Sequence, residues 1–276
     1  MKGQLRQVLA AVDNSPYALC VARWGAQVAA RSGAELVLLH VIEARLINAP
    51  LLADLSGALG ASPAVNLVED VTAALRERGR NTLAATTEVA AELGVTARAV
   101  LEVGVFSEVV SSLAKEANLL IMGRRGHDAE HGKYNLGGDA ERVLRSVGCS
   151  CLVLPAVFQL PEVLLVGLHD SVQSRQAASW AEFMADIFVG VRVHAVHVRE
   201  KEGLHDFNQE QVAGVPVTVV DGTPEGRLIA ECNNDPARTL CLIGATGHKR
   251  TLREFLLGTV PLHILHQTRN AVLIAR

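Results

Sequence analysis

Aromatic side chains are nearly missing from this chain. Phe, Trp and Tyr make up 4% of it although 49% of residues are hydrophobic, so its cores must be built from Ala, Val, Leu and Ile. Aliphatic cores of that kind suit parallel sheets covered by helices, where branched side chains fill both faces. Basic charge is not in excess either, with 26 Lys and Arg against 29 Asp and Glu and a formal net charge of −3. With no basic field and no Lys/Arg cluster interleaved with aromatics, nucleic acid is not expected as a ligand. No run approaches the ~18 apolar residues of a membrane span, so insertion into a membrane is not expected. The N-terminal run VLAAV before Asp13 is too short for the core of a signal peptide. The cytoplasm is therefore the expected location, and the five cysteines are expected there as thiols. Cys149 and Cys151 form a C-x-C at a strand start. No His/Cys set with zinc spacing lies nearby, so packing outweighs a redox or metal role.

What is present is order. Residues 119–122, LLIM, read as a buried strand that runs into Gly123, with two arginines before Gly126. Gly137-Gly138-Asp139 then opens a helix over 140–147, Gly148 stops it, and 151–154 reads as another buried strand closed by Pro155. Strand, glycine loop, glycine pair and helix start together form the grammar of an anion site. Glycines let backbone N–H groups approach a phosphate, and a helix N-terminus adds partial positive charge. Any one glycine pair taken alone does no more than shape a turn.

The 276 residues leave room for one large domain or two modest ones. Strand 8–12 ends in Asp13-Asn14-Ser15-Pro16, where Asn14 or Ser15 would cap a helix with Pro16 in its first position. Helix spacing runs to Ser32-Gly33, and 35–41, ELVLLHV, is the next strand. Residues 45–66 hold no sustained period and read as an excursion over the sheet, either a lid or a loop. A helix over 67–93, a strand over 95–101, a break at Gly104 and a helix over 107–117 complete a β-α-β-α-β-α-β-α-β order. That is one doubly wound domain, 1–155.

After a linker at 156–162 the pattern repeats over 163–276. LLVGLHDS at 164–171 matches VLAAVDNS at 8–15, and VRVHAVHV at 191–198 closes on the same His-Val pair as ELVLLHV. A third strand at 215–220 is followed by Gly222 and a helix from Pro224. LCLIGATG at 240–247 repeats LLIMGRRG, with Gly258-Thr259 in the place of Gly137-Gly138. In both copies ten residues separate the second glycine from the third, 127–136 and 248–257. Between its second and third strands the second copy has only 199–214, so the excursion and long helix are cut away. The first copy is expected to help cover the sheet face this leaves bare.

With both copies in view, the chain resembles the universal stress protein family in its tandem form, across nearly its whole length. The family pattern is an Asp at the end of the first strand and G-x2-G-x9-G-[S/T] after the fourth. Asp13, the spacing Gly123-x2-Gly126-x10-Gly137, and Gly244-x2-Gly247-x10-Gly258-Thr259 carry the resemblance, each loop with one extra residue. The resemblance implies an α/β fold of two tandem five-stranded parallel sheets, order 3-2-1-4-5, with helices on both faces. Some members bind ATP and others do not. In the binders the nucleotide lies across the carboxyl ends of strands one and four, the switch point where open α/β sheets take ligands. Carried onto the first copy, Ala11, Val12 and Val41 would surround the base and Asp13 would accept from the nucleotide. Met122, Gly123, Arg125 and Gly126 would line the phosphate loop, and Gly137 and Gly138 would supply amides. The corresponding second-copy positions are Gly167, His169, Val198, Gly244, Thr246, Gly247, Gly258 and Thr259.

Each copy departs from the pattern. The first has Gly138 in place of a hydroxyl and sets Asp139 beside the proposed phosphates, where like charges repel. Arg124 and Arg125 would offset that, as would a bound Mg²⁺; alternatively Asp139 caps the helix and fills the anion site itself. The second keeps Gly258-Thr259 and adds Lys249, Arg250 and Arg253, but has His169 where the Asp belongs. The first copy is the favoured site for ATP, ADP or AMP. A nucleotide-binding regulator acting by conformation or assembly, a nucleotide-free interaction module and a slow ATPase all fit these residues; no Walker lysine or serine-glycine loop supplies catalytic parts. His127 and His131, in HDAEH, would suit a metal only with a third ligand. The last strand of each copy leaves an edge, so an internal pseudo-dimer of the copies is expected, with a further homodimer of chains open.

Overall fold

The computed structural model describes residues 5–47, 64–126, 136–157, 160–199, 211–234, 238–245 and 257–276. The first half runs β1 Gln7–Ala11, α1 Tyr17–Ser32, β2 Glu35–Glu43, a short α2 Ala44–Ile47, α3 Ala64–Glu92, β3 Ala97–Gly104, α4 Phe106–Leu113, β4 Leu119–Gly123, α5 Gly138–Ser146 and β5 Ser150–Leu154. The second runs β6 Val163–Leu168, α6 Val172–Ile187, β7 Arg192–Arg199, β8 Gln211–Val212, β9 Val215–Pro216, β10 Thr218–Asp221, α7 Pro224–Asn234, β11 Thr239–Gly244, α8 Thr259–Gln267 and β12 Ala271–Ala275. Ten strands form one sheet in the order β10-β7-β6-β11-β12-β5-β4-β1-β2-β3. Each half therefore reads 3-2-1-4-5, parallel throughout. The halves meet where β12 pairs antiparallel with β5, Leu273 opposite Leu152.

The continuous apolar runs are what a sheet buried on both faces requires. Along β4, Leu119 and Ile121 enter one core while Leu120 and Met122 enter the other, as a period of two dictates. The first core lies under α1 and α6, with Leu83, Val89 and Ala90 of α3; the second lies under α4, α5, α7 and α8. Both cores run across the two halves. Burying a Leu side chain stabilises by about 1.5–3 kcal/mol, so dozens of aliphatic side chains replace the missing aromatics. Three of the aromatics, Trp24, Trp180 and Phe188, meet at the seam. Trp24 meets Phe188 edge to face at 5.4 Å, Arg31 lies over the Phe188 ring, and the Trp180 indole N–H donates to Ser150 Oγ at 2.9 Å.

Three local expectations change. Pro16 is the N-cap of α1 rather than its first helical residue, and neither Asn14 nor Ser15 caps it in the ordinary way. In the second half Ser171 does cap α6, accepting from Ser174 N at 3.0 Å. Helix α4 stops at Leu113, and Lys115–Ala117 continue as i→i−3 turns. The strand expected at 215–220 is split: Val215–Pro216 turns back on β8 as a hairpin, and only Thr218–Asp221 joins the sheet. That hairpin packs on β7 and α6 with Val212 fully buried, and α1 of the first half touches α6 as well. Of the excursion at 45–66, residues 48–63 lie outside the described residues, as do 200–210 of the second-half linker and 158–159 of the link between the halves.

Candidate functional site

The carboxyl ends of β1, β2 and β4 sit side by side, with Ala11 opposite Leu39 and Met122. Beyond them the chain turns, leaving the crevice expected at a switch point. Val12 N donates to Leu39 O at 2.8 Å, which holds the start of the turn flat against β2. Asp13 Oδ1 then accepts from Ser15 N at 3.1 Å and from Ser15 Oγ, an Asx turn that fixes the carboxylate. Thr82 of α3 donates to Asn14 Oδ1, tying this turn to the helix above it.

The glycines of the opposite loop do different things. A Cβ on Gly123 would lie 2.7 Å from Tyr17 Cβ, so this glycine lets α1 approach the strand end. On Gly126 a Cβ would meet Asp13 Oδ2 at 3.2 Å, so the loop passes directly beside the carboxylate. Gly137 is the N-cap of α5, with φ −65° and ψ 145° and no side-chain cap. Among the described residues the first amides of α5 thus have no side-chain cap, the anion-binding arrangement of helix starts. On Gly138 a Cβ would meet nothing within 4 Å among the described residues, which leave room there for a hydroxyl-bearing side chain.

These parts enclose a cavity of about 600 Å³, within the range of small-molecule sites. Ala11, Val12, Asp13, Val41, Met122, Gly123, Arg125, Gly126, Gly137, Gly138 and Asp139 all line it. Sequence reasoning missed Tyr17, His40, Glu43, Arg45, Arg78 and Phe106, which line it too. Glu43 and Arg45 follow Val41 at the strand end, a position that could have pointed to them. Arg78 sits on α3, and no local signal gives that helix its rotation.

Charge inside the cleft is organised as a chain. Glu43 accepts from Phe106 N at 3.3 Å and pairs with Arg45 Nε at 3.0 Å. Arg45 Nη2 lies 3.9 Å from Asp139, whose carboxylate also takes Arg142 Nη1 at 2.7 Å. The Glu43 contact raises the Arg45 pKa above its ordinary value. Asp139 therefore does not cap α5; it stands in the first turn, paired with two arginines. His40 is buried, and burial pushes its pKa below the usual imidazole value, against the pull of the Val12 backbone and Asp13.

Arg124 overturns an expectation. It does not face the cleft. Its guanidinium is buried among the carbonyls of Leu265, Thr268 and Asn270, and burial pushes its pKa down to about 10. Any offset to Asp139 comes from Arg45, Arg142 and Arg125 instead.

The second-half positions fare differently. A Cβ on Gly167 would strike Leu228 at 2.8 Å, and one on Gly244 would lie 3.0 Å from the backbone of Gln173 and Ser174, so both serve helix–sheet packing. His169 N donates to Ser174 Oγ at 2.9 Å, and its ring reaches Ser171 Oγ at 3.5 Å, which turns it toward the start of α6. Val198 is buried. Gly258 is the N-cap of α8, with Thr259 exposed behind it. Thr246, Gly247, Lys249, Arg250 and Arg253 lie outside the described residues, as do His127 and His131. Among the described residues no three His, Cys, Asp or Glu side chains gather to hold a metal, all five cysteines are free thiols, and no helix is long and apolar enough to cross a membrane.

Comparison with known proteins agrees with this architecture. A sequence model of the universal stress protein family matches residues 4–155. Universal stress protein Slr1230 of Synechocystis is 25% identical, the alignment covering 99% of this chain and all of that one. Universal stress protein Rv2005c of Mycobacterium tuberculosis is 27% identical over 98% of this chain and 96% of its own. Among solved structures, a universal stress protein from Archaeoglobus fulgidus superposes with a TM-score of 0.70 at 17% identity, over 99% of both chains.

Proposed function

The chain belongs to the universal stress protein family, and from that premise we propose that it binds an adenine nucleotide, ATP or its lower phosphates ADP and AMP, in the first-half cleft. It acts as a cytoplasmic stress-response regulator through conformation or assembly, with little or no catalysis. One observation carries this reading: eleven residues placed far apart in sequence line one cavity of about 600 Å³.

The chemistry of the walls divides the ligand. Val12, Val41, Ile42 and Met122 offer an apolar slot for a base. Asp13 accepts hydrogen bonds from the sugar or base, and the uncapped start of α5 with Arg125 and Arg78 attracts phosphates. Asp139 opposes them. An accompanying Mg²⁺ would reduce that repulsion, with Asp139 the carboxylate in the cleft that would help hold it.

The two halves, 1–155 and 163–276 about a 156–162 linker, would act as domains of an intramolecular pseudo-dimer. Pairing of β5 with β12 supports that reading. Two chains would then associate as a homodimer, with β3 and β10 the outer strands left to pair.

Mass spectrometry of nucleotide released from freshly purified protein tests the proposal, together with melting curves in millimolar Mg-ATP. A ligand selective for the folded state raises the midpoint. A flat curve with no released nucleotide would favour a nucleotide-free interaction module, for which the self-satisfied chain Glu43–Arg45–Asp139 is the supporting observation. Phosphate release above background that Asp13→Ala abolishes would instead point to a slow ATPase.

A further inference from the structure

Arg124 belongs to two places at once. Its backbone lies in the glycine loop of the first-half cleft. The N–H donates to Leu154 O at 2.9 Å, and the carbonyl accepts from Gly137 N at 3.0 Å, so this one residue joins both glycine segments. Its side chain runs the opposite way, into the C-terminus of α8. There Nη1 donates to Leu265 O and, at 2.8 Å, to Thr268 O, while Nη2 donates to Asn270 O at 2.7 Å. A helix C-terminus presents unpaired carbonyls and partial negative charge, which suits a guanidinium fork. Among the described residues buried Nε has no hydrogen-bond partner, so these carbonyls are what holds the charge in a dry setting.

Helix α8 reaches the second glycine segment as well. His266 Nδ1 accepts from Leu136 N at 3.4 Å, one residue before Gly137, and Nε2 lies 3.9 Å from Glu141 of α5. Both segments of the cleft therefore rest on one helix of the other half. The second half makes its crossing from elsewhere than the glycine loop: Arg276, just after β12, donates to Leu144 O near the end of α5, the counterpart of Leu265 O. Ala245, in the place of Arg124, repeats the backbone bonds to Ala275 O and from Gly258 N but sends nothing across the seam. Arg145, in the place of His266, pairs with Glu141 of its own helix.

We propose that Arg124 couples the first-half cleft to the end of α8, so that the second half sets the rigidity of the cleft's glycine loops and thereby its affinity for a nucleotide. Arg124 is a positioning residue. If α8 shifts, the guanidinium loses its acceptors, and a buried unpaired cation is costly enough to drag the loop along. By linkage, whatever fixes the loop from the cleft side also steadies the end of α8. Only the ligand arm of the test below rests on the nucleotide reading.

The test is residue-resolved amide exchange on the full chain, wild type against His266→Ala, Arg124→Met and Arg124→Lys. His266→Ala alters α8 alone and leaves the buried cation in place, so it stays informative should Arg124→Met fail to fold. Without ligand, His266→Ala is expected to speed exchange several-fold at Arg124 and Gly137 as well as at Thr268. Arg124→Met is expected to speed exchange about tenfold at Glu141 and Thr268 together, with Arg124→Lys partly restoring both. Loosening confined to the mutated side of the seam in both variants would overturn the proposal. With 1 mM Mg-ATP, wild type should gain protection at Thr268 and Arg124→Met should not. Protection at the cleft but none at Thr268 would overturn the coupling and leave the nucleotide reading standing. Joint loosening without ligand, but no protection by Mg-ATP anywhere, would support the coupling and sink the nucleotide reading.

Discussion

The two halves share a strand order and a glycine register, yet equivalent positions do different work in them. In the first half Asp13 stands at the end of β1, beside Gly126; its counterpart His169 is turned into the start of α6. Long α3 roofs one edge of the first half, whereas the hairpin β8–β9 does so in the second. What remains common is backbone: Arg124 N to Leu154 O and Gly137 N to Arg124 O, against Ala245 N to Ala275 O and Gly258 N to Ala245 O. Those bonds are needed to bring a helix back beside the fourth strand, whatever binds there. The repeated glycine signature is therefore partly a folding device, and only the side chains around it distinguish a ligand site from a turn.

The largest effect should come from separating these two uses of glycine. Gly244→Val places methyl groups where Gln173 and Ser174 backbone already stands 3.0 Å from the Cβ. Overpacking of this kind costs about 1–3 kcal/mol, and the melting midpoint should fall by several degrees with nucleotide affinity reduced little. Among the described residues, a side chain at position 126 in Gly126→Val meets only the tip of Asp13. That variant's midpoint should stay within a degree or two of wild type while Mg-ATP affinity drops at least tenfold. Calorimetric titration beside a melting curve separates the pair. Equal stability losses with equal affinity losses would mean that the comparison of the halves is wrong.

A smaller effect tests the charge at the start of α5. Asp139 is half exposed and paired with Arg142 and Arg45, so removing it should change stability by no more than about 1 kcal/mol, as surface ion pairs do. Its repulsion of phosphate grows with ligand charge. Asp139→Ser should therefore tighten ATP more than AMP, by about tenfold at low ionic strength, with less dependence on Mg²⁺; each tenfold is 1.4 kcal/mol of lost repulsion. Gly138→Ser, for which the described residues leave open space, adds a hydroxyl without altering charge and should tighten both alike. An unchanged ATP/AMP ratio in Asp139→Ser would remove Asp139 from the site.

The fold was legible because its signals are local and repeated. Buried runs such as 119–122 and 151–154, turn glycines such as Gly33 and Gly94 at positive φ, and their recurrence define the strand order almost alone. The eleven first-half residues were legible through a family pattern, which is itself a record of strand ends. Side-chain direction was not. Arg124 and Arg125 are neighbours of the same type, and nothing in GRRG says that the first turns into the seam and the second into the cleft. That choice is made by the carbonyls of Leu265, Thr268 and Asn270, more than a hundred residues away. Arg78 and the split of β9 from β10 were hidden for the same reason: each depends on what packs from elsewhere.

The halves differ lastly in their buried histidines, and pH should expose it. His197 gives its Nδ1 to Leu168 O at 3.0 Å. His40 is wedged under α3, the helix the second half lacks: a Cβ on Gly79 would touch its ring at 2.8 Å. Burial lowers the His40 pKa first, with Arg78 adding to it and the Val12 carbonyl and Asp13 opposing. As pH falls through about 6.5, the unfolded chain takes up a proton at this residue before the folded one does. The unfolded state then binds more protons, so folding stability rises with pH and the contribution of neutral His40, complete above that value, is lost on acidification. Urea midpoints from pH 7.5 down to 5.5 should fall less steeply for His40→Leu than for wild type, the difference bounded by about 1.4 kcal/mol per pH unit for one proton. Parallel slopes would show that His40 takes its proton as easily folded as unfolded, and that α3 does not seal the base of the cleft.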